Sequence, residues 1–403
     1  MIYNLLKLCF FTSVLFVSLL MSCSDDDNVV LDDDVDQSKV DNDAGEETAA
    51  DDSTNDDTES VEGFSKNAML TNWADNIIIP SFQALVNKLD SLSLRADAFS
   101  ETPNEENLIF LRQSWEDAYM AWQTVDMFDI GKAEEITFRN YMNVYPLNAQ
   151  DMKATLLAGD YDLTSINRQD EQGFSALDYL LFGLADSDIE ILAYYTDVSD
   201  GAKYKTFLTD VVDRMQSLTI TVLADWKDSY RDEFIERDGS SATASVNSMV
   251  NDYIYYYEKF LRAGKVGIPA GIFSNTPLSD RVEARYKADF SKKLLSKALH
   301  SAQDFFNGVH FEKEDAGLSL KGWINHIEET NNTNNLDSLI NNQFESIYLQ
   351  LDNMSDNFAT QVENDNLVML QTYDIIQKNV ILLKVEMLQF LDITVDYVDA
   401  DGD

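Results

Sequence analysis

The chain has 403 residues, with 72 acidic and 29 basic side chains, and its formal net charge is −43 at pH 7. A nucleic-acid-binding surface needs clustered lysine and arginine to meet the phosphates, so this charge excludes nucleic acid as a partner. It also repels anionic lipid head groups, and attachment to a membrane therefore requires an anchor other than a basic surface. With 45% apolar residues, 5 Pro and 15 Gly, the composition favours long helices over many short strands.

Such an anchor is predicted at the N-terminus. The apolar run from Leu8 to Met21 has the length of a signal-peptide core and is too short to span a membrane. It leads into Leu20-Met21-Ser22-Cys23, which resembles the bacterial lipoprotein box. We therefore expect residues 1–22 to be removed and Cys23 to carry the lipid that holds the protein in the outer membrane, a plain secretory signal being the alternative. Cys9 would leave with the signal, so no intramolecular disulfide is expected.

Residues 23–62 are predicted to be a disordered acidic linker. From residue 24 onward this stretch holds 17 acidic side chains, one lysine and no aromatic residue. It has too little apolar surface to order itself, and charge repulsion keeps it extended. The Ser-Asp-Asp-Asp directly after Cys23 resembles the acidic signal that sends lipoproteins of the Bacteroidota to the cell surface. We expect surface exposure, with a periplasm-facing protein as the alternative.

From Gly63 onward, apolar residues recur at helical spacing. Helices are predicted over 67–94, 105–128, 203–235, 245–263, 279–307, 336–360 and 365–391, with a kink at Pro80. Helices of this length joined by short polar turns favour an all-α fold of antiparallel bundles. The Gly- and Ser-containing stretch 236–248 divides the chain into two predicted halves, approximately 63–238 and 245–403. Trp115, Tyr119 and Trp122 share one helix face, which indicates core packing rather than an aromatic ligand platform.

Sequence motifs for catalysis are scarce. The chain contains no His-Glu-x-x-His, no Gly-x-Ser-x-Gly and no paired cysteines. Its three histidines, His300, His310 and His326, are not spaced to place two imidazoles on one helix turn. No catalytic residue is predicted from these patterns.

Residues 172–183, QGFSALDYLLFG, place Ser175 and Asp178 three residues apart. This is the spacing of a capping box, in which the serine oxygen accepts a backbone amide and the acid reaches back to the helix start. Such a cap is worth about 1 kcal/mol. The spacing alone predicts a helix that begins near Ser175 and requires no chemical role for the pair.

Six segments, in this order along the chain, resemble the imelysin family and especially its Bacteroidota lipoprotein branch. They are AWQTVDMFDIG (121–131), VYPLN (144–148), GFSALDYLLFG (173–183), KVGIPAGIF (265–273), RVEARYKADFSKKLLSKALHSAQDFFNG (281–308) and DYVDADGD (396–403). The resemblance covers essentially all of residues 63–403. It implies an all-helical protein of two bundle-like halves, an envelope lipoprotein linked to iron acquisition and a relationship to a metallopeptidase family.

The family's hallmark is Gly-x-His-x-x-Glu, which puts an imidazole and a carboxylate one helical turn apart as a metal-binding pair. Here Gly173 is followed by Ser175 in place of the histidine and Asp178 in place of the glutamate. The family also tends to have Glu at the position of Asp126 and Trp-Pro at the position of Tyr145-Pro146. Serine is a much poorer ligand than imidazole for zinc or iron, and Asp is one methylene shorter than Glu. Peptidase activity is therefore not expected.

The resemblance places four candidate ligand-binding residues in a cleft between the two halves: Asp126, Ser175, Asp178 and Glu283. Iron or another divalent cation is the cofactor it suggests, with Asp178 and Asp126 as the acids to hold it. The alternative for Glu283, which stands between Arg281 and Arg285, is a surface ion-pair cluster.

The resulting expectation is a non-catalytic, surface-exposed lipoprotein that binds an iron-related ligand such as haem, or a partner protein of iron uptake or another envelope protein. Two alternatives stay open. One is an imelysin-type metallopeptidase that builds its site from other residues, and the other is a lipoprotein that captures carbohydrate. Most of the aromatic residues fall at core spacing rather than in loops where sugars would stack, which disfavours carbohydrate.

Overall fold

The computed structural model describes residues 63–241, 243–331 and 335–395. The predicted signal peptide, the lipidation site Cys23, the acidic linker and the segment 396–403 lie outside these ranges. Within them, no helix combines the length and the apolar character that crossing a membrane requires.

The described residues are helical almost throughout, which confirms the predicted all-α class. The longer α-helices are Ile79–Glu101, Glu105–Trp122, Gly201–Asp225, Ser245–Tyr255, Ser291–Asn307, Leu320–Asn331, Leu336–Leu351 and Asn366–Ile381. The shorter ones are Lys66–Asn72, Lys132–Glu135, Phe138–Met142, Ala149–Ala158, Gly173–Asp178, Asp188–Thr196, Arg231–Glu236, Ile268–Ala270, Phe358–Asn364 and Leu388–Phe390. Extended pairing in this part of the chain is limited to one bridge between Val309 and Ala316.

Several helices run into wider π-helical turns, which insert extra backbone without breaking the helix. These turns are Trp73–Ile78, Tyr179–Gly183, Trp226–Tyr230, Tyr256–Gly267 and Leu382–Met387. The first of them lies directly before Pro80, which occupies the first turn of the helix that follows. Where the sequence predicts a kink at Pro80, the structure has a π turn directly before the proline.

Two groups of helices form the main packing contacts. Ile79–Glu101 lies against both Glu105–Trp122 and Gly201–Asp225, whereas Asn366–Ile381 lies against Leu336–Leu351 and the π turn Tyr256–Gly267. Their apolar stripes are buried, and each buried leucine or phenylalanine contributes about 2 kcal/mol. Trp115, Tyr119 and Trp122 are all 0% exposed, which confirms that this aromatic face belongs to the core.

Three predicted helices extend beyond the observed bounds, and one of them, predicted over 105–128, ends at Trp122. The other two differ as follows. The helix predicted over 279–307 begins at Ser291, and the one predicted over 336–360 ends at Leu351 before a short helix resumes at Phe358. In the first case, Ala284 and Ala288 adopt positive φ angles of 52° and 63°, which a right-handed helix excludes. The irregular segment 282–288 that results carries Glu283.

Candidate functional site

The structure overturns the capping-box interpretation of QGFSALDYLLFG. The helix begins at Gly173 with Gln172 as its N-cap, so Ser175 lies inside the first turn. Its hydroxyl donates a hydrogen bond to the Val144 carbonyl oxygen at 2.6 Å. Gly173 has a φ of +77°, and a Cβ at this position would lie 2.3 Å from the Met142 carbonyl oxygen. Only glycine fits there, and this close approach brings the 142–146 segment to Ser175.

Asp178 lies at the end of the same helix and is 2% exposed. Its two carboxylate oxygens accept hydrogen bonds from the backbone amides of Tyr286 and Lys287, at 2.9 Å and 2.8 Å. Burial raises the pKa of Asp178 to about 7, although these two amides and the nearby cations oppose the shift. Asp178 therefore holds the irregular segment 282–288 against the helix, and its amide contacts replace hydrogen bonds that a continuing helix would have made.

A small cavity, which we call the motif cavity, lies beside Ser175 and Asp178. Its volume is about 30 Å³, and its lining includes Tyr145, Ser175, Asp178, Ala284, Arg285 and Tyr286. A space of this size admits a water molecule or a single ion, whereas small-molecule sites are about ten times larger. The motif cavity therefore has no room for a peptide or for haem.

Glu283 is 2% exposed, so the predicted alternative of a surface ion-pair cluster with Arg281 and Arg285 is wrong. Its partner is Lys265, a residue of the π turn Tyr256–Gly267. The Lys265 Nζ lies 2.5 Å from Glu283 Oε2, and the lysine is also 2% exposed. A charge pair this deeply buried survives only where hydrogen bonds satisfy its remaining atoms.

Side-chain amides and a phenol supply those hydrogen bonds. Lys265 donates to Gln123 Oε1 at 2.8 Å, while the Asn143 and Gln123 amides donate to Glu283 Oε1 at 2.9 Å and 3.3 Å. Tyr119 donates its hydroxyl to Asn143 Oδ1 at 2.7 Å. Burial raises the pKa of Tyr119, and the nearby Glu283 raises it further, so the phenol stays protonated as a donor. The Glu283 carboxylate is thus fully engaged within the protein.

Asp126 belongs to a third group, which we call the Arg139 cluster. Arg139 Nε donates to Asp126 Oδ1 at 3.0 Å, and its other guanidinium nitrogens lie 3.3 Å from Asp129 and 3.4 Å from Asp252. The Asp129 amide in turn donates to Asp252 Oδ2 at 2.7 Å. Asp252 comes from helix Ser245–Tyr255, so the cluster joins the two predicted halves of the chain.

Three carboxylates share one guanidinium in this cluster. Burial raises the pKa of Asp126 to about 6 and that of Asp252 to about 7, and Arg139 partly offsets both shifts. These carboxylates raise the pKa of Arg139 above its ordinary value, although burial acts against this. The cluster therefore takes up protons as the pH falls below 7, while the arginine remains charged.

The structure brings the four candidate residues into one region but not into one site. Ser175 and Asp178 line the motif cavity, Glu283 is paired with Lys265, and Asp126 belongs to the Arg139 cluster. These groups are close enough to interact, since Glu283 and Asp126 both raise the pKa of Tyr145 beyond the effect of its burial. A single cleft that exposes all four side chains to a ligand is not formed by the described residues.

The sequence analysis did not identify the two buried basic residues of this region, Lys265 and Arg139. Lys265 stands in an apolar stretch, Gly264 to Phe273, and a lysine in such surroundings is a signal of a buried ion pair. Arg139 gave no comparable signal, because Asp126 and Asp129 lie outside its own helix and Asp252 is 113 residues away, so no helical spacing links it to its partners.

The described residues do not fit a bound metal. Over residues 63–241, 243–331 and 335–395 there is no group of three or more His, Cys, Asp and Glu side chains that could hold one. Asp178 is engaged by two amides, Glu283 by Lys265 and Asp126 by Arg139. A structural or catalytic metal needs three or four protein ligands, and in this region each carboxylate would first have to leave its present partner.

Comparison with known proteins supports the resemblance seen in the sequence. The sequence model of the imelysin family matches residues 78–373. Iron-regulated protein A of Synechococcus elongatus is 25% identical over 120 residues, which make up 30% of this chain and 33% of that protein. The chain thus matches about a third of the length of that relative.

Two crystal structures share the fold. One is a protein from Parabacteroides distasonis assigned as an iron-regulated protein A precursor, with a TM-score of 0.66. The other is an imelysin-like protein from Psychrobacter arcticus, with a TM-score of 0.61. Each is 16% identical in sequence, and each alignment covers 82% of this chain and 97% of the other. At this identity the likeness concerns the fold alone.

Proposed function

Because the chain belongs to the imelysin family, we propose that it is a non-catalytic binding protein, anchored in the outer membrane through Cys23, that serves iron acquisition. The link to iron rests on the relatives, two of which carry the name iron-regulated protein A. The anchor rests on the Leu20-Met21-Ser22-Cys23 box and the acidic residues that follow it.

One observation carries the non-catalytic part of the proposal. Both hallmark positions are committed to hydrogen bonds within the protein: Ser175 donates to the Val144 carbonyl, and Asp178 accepts the amides of Tyr286 and Lys287. A residue that activates water or holds a catalytic metal needs an open position facing the substrate. Here both side chains instead fix the local backbone.

The charged residues near Ser175 and Asp178 also support a non-catalytic function. Lys265 neutralises Glu283 and Arg139 neutralises Asp126, so the buried acids already have cations from the chain itself. An acid paired in this way has little affinity left for a divalent ion. Binding an ion at Glu283 would leave Lys265 as an unpaired buried charge, and binding one at Asp126 would cost Arg139 one of its three carboxylate partners. We therefore place the binding function on surfaces of the protein outside the motif cavity.

Metal analysis and a peptidase assay of the full-length protein, purified in detergent, test the catalytic alternative. We expect no chelator-sensitive cleavage of peptides. Cleavage that Asp178→Ala abolishes, and that Asp352→Ala at the exposed end of helix Leu336–Leu351 leaves intact, would establish an imelysin-type metallopeptidase instead.

Calorimetric titration with ferrous and ferric ions, zinc, calcium and haem tests the nature of the ligand. Haem or iron binding that survives Asp178→Ala supports a binding site outside the motif cavity. If none of these ligands binds, the iron-related ligand is excluded and the role in iron acquisition would have to be exerted through a partner protein of iron uptake.

The proposed anchor has a separate test. Growth with an alkyne-labelled fatty acid should label the wild-type chain but not a Cys23→Ala variant. Protease added to intact cells should degrade the protein if it faces the medium and spare it if it faces the periplasm.

Capture of carbohydrate has weaker support from the structure. Four tryptophans, Trp73, Trp115, Trp122 and Trp226, are 0% exposed, and they cannot stack on a sugar. Of the aromatic residues that the structure describes, Phe273, which is 52% exposed between two helices, is the best placed to contact a sugar. Glycan-array binding that Phe273→Ala removes would favour this function over iron acquisition.

A further inference from the structure

A second pocket, of about 350 Å³, lies apart from the motif cavity and shares no lining residue with it. Residues 77–81, the turn that follows helix Glu105–Trp122, helix Ser291–Asn307 and the loop 309–314 form its walls. We call it the lateral pocket. Its volume falls in the range of small-molecule sites, about 300 to 1,000 Å³.

The buried polar groups of the lateral pocket are three hydroxyls, those of Ser81, Thr124 and Ser301. The hydrogen bonds they donate are Ser81 to the Ile77 carbonyl at 2.6 Å, Thr124 to the Ala121 carbonyl at 2.7 Å and Ser301 to the Lys297 carbonyl at 2.9 Å. A hydroxyl has one hydrogen and two lone pairs. Because each hydrogen is already donated to the backbone, each oxygen can only accept, and a ligand has to supply the donors.

Asp304 adds a carboxylate to this set of acceptors. Among the described residues, its side chain makes no hydrogen bond and no ion pair. Burial raises the pKa of Asp304, while Lys297 and His300 lower it. Asp304 nevertheless keeps an exposed surface where it lines the pocket. Because the described residues provide no direct partner, its carboxylate retains the capacity to accept hydrogen bonds from a ligand.

The rest of the wall is apolar. Met127, Phe128 and Phe305 are at most 1% exposed, and the two phenylalanine rings meet edge to face at 5.4 Å. Phe311 lies on the opposite loop. Such walls favour a ligand with a short hydrocarbon or aromatic body, and aromatic rings also attract an adjacent cation.

The loop that closes the lateral pocket is held in place by backbone hydrogen bonds. The Phe311 amide donates to the Asn76 carbonyl at 2.8 Å, and the His310 amide donates to the Asp315 carbonyl at 2.8 Å. The bridge between Val309 and Ala316 closes the base of the loop. The pocket is thus formed in advance, and little ordering is needed when a ligand enters.

Charge around the lateral pocket favours a cation. Three carboxylates, those of Asp304, Glu312 and Glu314, and two ammonium groups, those of Lys297 and Lys313, line it and leave one net negative charge. The chain as a whole carries −43. Its long-range field therefore attracts cations and repels anions.

From these features we propose that the lateral pocket binds a primary organic ammonium ion with a short apolar body. An ammonium group has three hydrogens and no lone pair, so it complements the hydroxyl oxygens and the Asp304 carboxylate. The hydrocarbon part would then lie against Phe128 and Phe305. This site is independent of the role in iron acquisition, and neither proposal depends on the other.

Calorimetry on the full-length protein in detergent tests the site with hexylammonium and phenethylammonium as probes. The matched probes are hexan-1-ol, which has no charge, and hexanoate, which has the opposite charge. We expect both ammonium ions to bind at least about tenfold more tightly than either matched probe, the ratio for one charge-assisted hydrogen bond. The proposal is overturned if neither ammonium ion binds. It is also overturned if hexanoate binds as tightly as hexylammonium.

Three variants locate the binding. Asp304→Asn keeps the side-chain size and should weaken hexylammonium binding about tenfold or more. Asp352→Asn makes the same change of charge at an exposed position outside the pocket and should leave the affinity unchanged. Ser301→Ala removes one acceptor from a helix that tolerates alanine, and it should weaken binding severalfold. Equal affinity in all three variants would show that hexylammonium binds elsewhere.

Discussion

Lys265 and Glu283 form an ion pair with 2.5 Å between Nζ and Oε2, and each side chain is 2% exposed. Removing one partner of a buried pair leaves the other as an uncompensated charge, which typically costs about 3 to 5 kcal/mol. Lys265→Met should lower the free energy of unfolding by this amount in urea titrations. The double variant Lys265→Met with Glu283→Gln should recover most of the loss, because no unpaired charge remains.

Lys88 and Asp117 provide a matched control for this pair. Their ion pair is 2.9 Å long, but the side chains are 46% and 44% exposed. Lys88→Met should change the free energy of unfolding by about 1 kcal/mol or less, since water solvates the remaining aspartate. Equal losses from Lys88→Met and Lys265→Met would mean that the Lys265 site is solvated.

The raised pKa of Asp126, about 6, predicts a pH-dependent difference between the wild-type protein and Asp126→Asn. In the unfolded chain an aspartate titrates near pH 4, so the folded wild type binds this proton more tightly. The tighter binding of this proton adds to the free energy of unfolding below pH 4, and this contribution is lost as the pH rises to about 6. Asparagine stays neutral and can still accept from Arg139. Relative to wild type, the variant should therefore gain about 3 kcal/mol between pH 4 and pH 7.

Chemical unfolding of both proteins at several pH values measures this difference. Because every other titrating group is common to the two proteins, the change in the difference reports Asp126 and the groups coupled to it. A difference that stays constant between pH 4 and pH 7 would show that Asp126 is not desolvated in the folded protein.

Asp178 holds the segment 282–288 through the amides of Tyr286 and Lys287. Asp178→Ala removes both acceptors and should speed hydrogen exchange at these two amides. It should also cost about 2 to 3 kcal/mol of stability, the effect of hydrogen bonds to a charged group. Asp280→Ala, at an exposed residue shortly before the same segment, is the control. Unchanged exchange at Tyr286 and Lys287 in Asp178→Ala would contradict the contact.

The all-α class was predictable because each long helix buries one face, so its apolar residues recur every three or four positions along the sequence. Trp115, Tyr119 and Trp122 recur on one face of Glu105–Trp122, and all three are buried as that spacing indicates. Local patterns carry this information, since neighbours on a helix face are only three or four residues apart.

The hydrogen-bond partners of the candidate site residues could not be predicted, because no pattern in the nearby sequence indicates them. Ser175 and Asp178 have capping-box spacing, yet their partners are Val144, Tyr286 and Lys287, and the last two stand more than 100 residues away. The positive φ of Ala284 prevents the predicted helix 279–307 from forming before Ser291. Nothing in the sequence indicates this, because helix-forming residues continue through that position. The bounds and partners in this region were therefore wrong for one reason, namely that tertiary hydrogen bonds override local preference.

Restoring the family hallmark provides the last prediction. Ser175→His together with Asp178→Glu would place an imidazole and a longer carboxylate one helical turn apart, and both are strong ligands for zinc. The histidine would fill the motif cavity of about 30 Å³ and displace the hydroxyl from the Val144 carbonyl. The glutamate would also give up the amides of Tyr286 and Lys287. We expect the double variant to bind zinc at least about tenfold more tightly than wild type in calorimetry, with lower stability in urea.

Ser175→Ala alone, which loses the hydroxyl but adds no ligand, should lower stability without any gain in zinc affinity. A double variant with wild-type zinc affinity would mean that replacement of the hallmark residues is not what limits metal binding, and that Lys265 and Arg139 already exclude the ion.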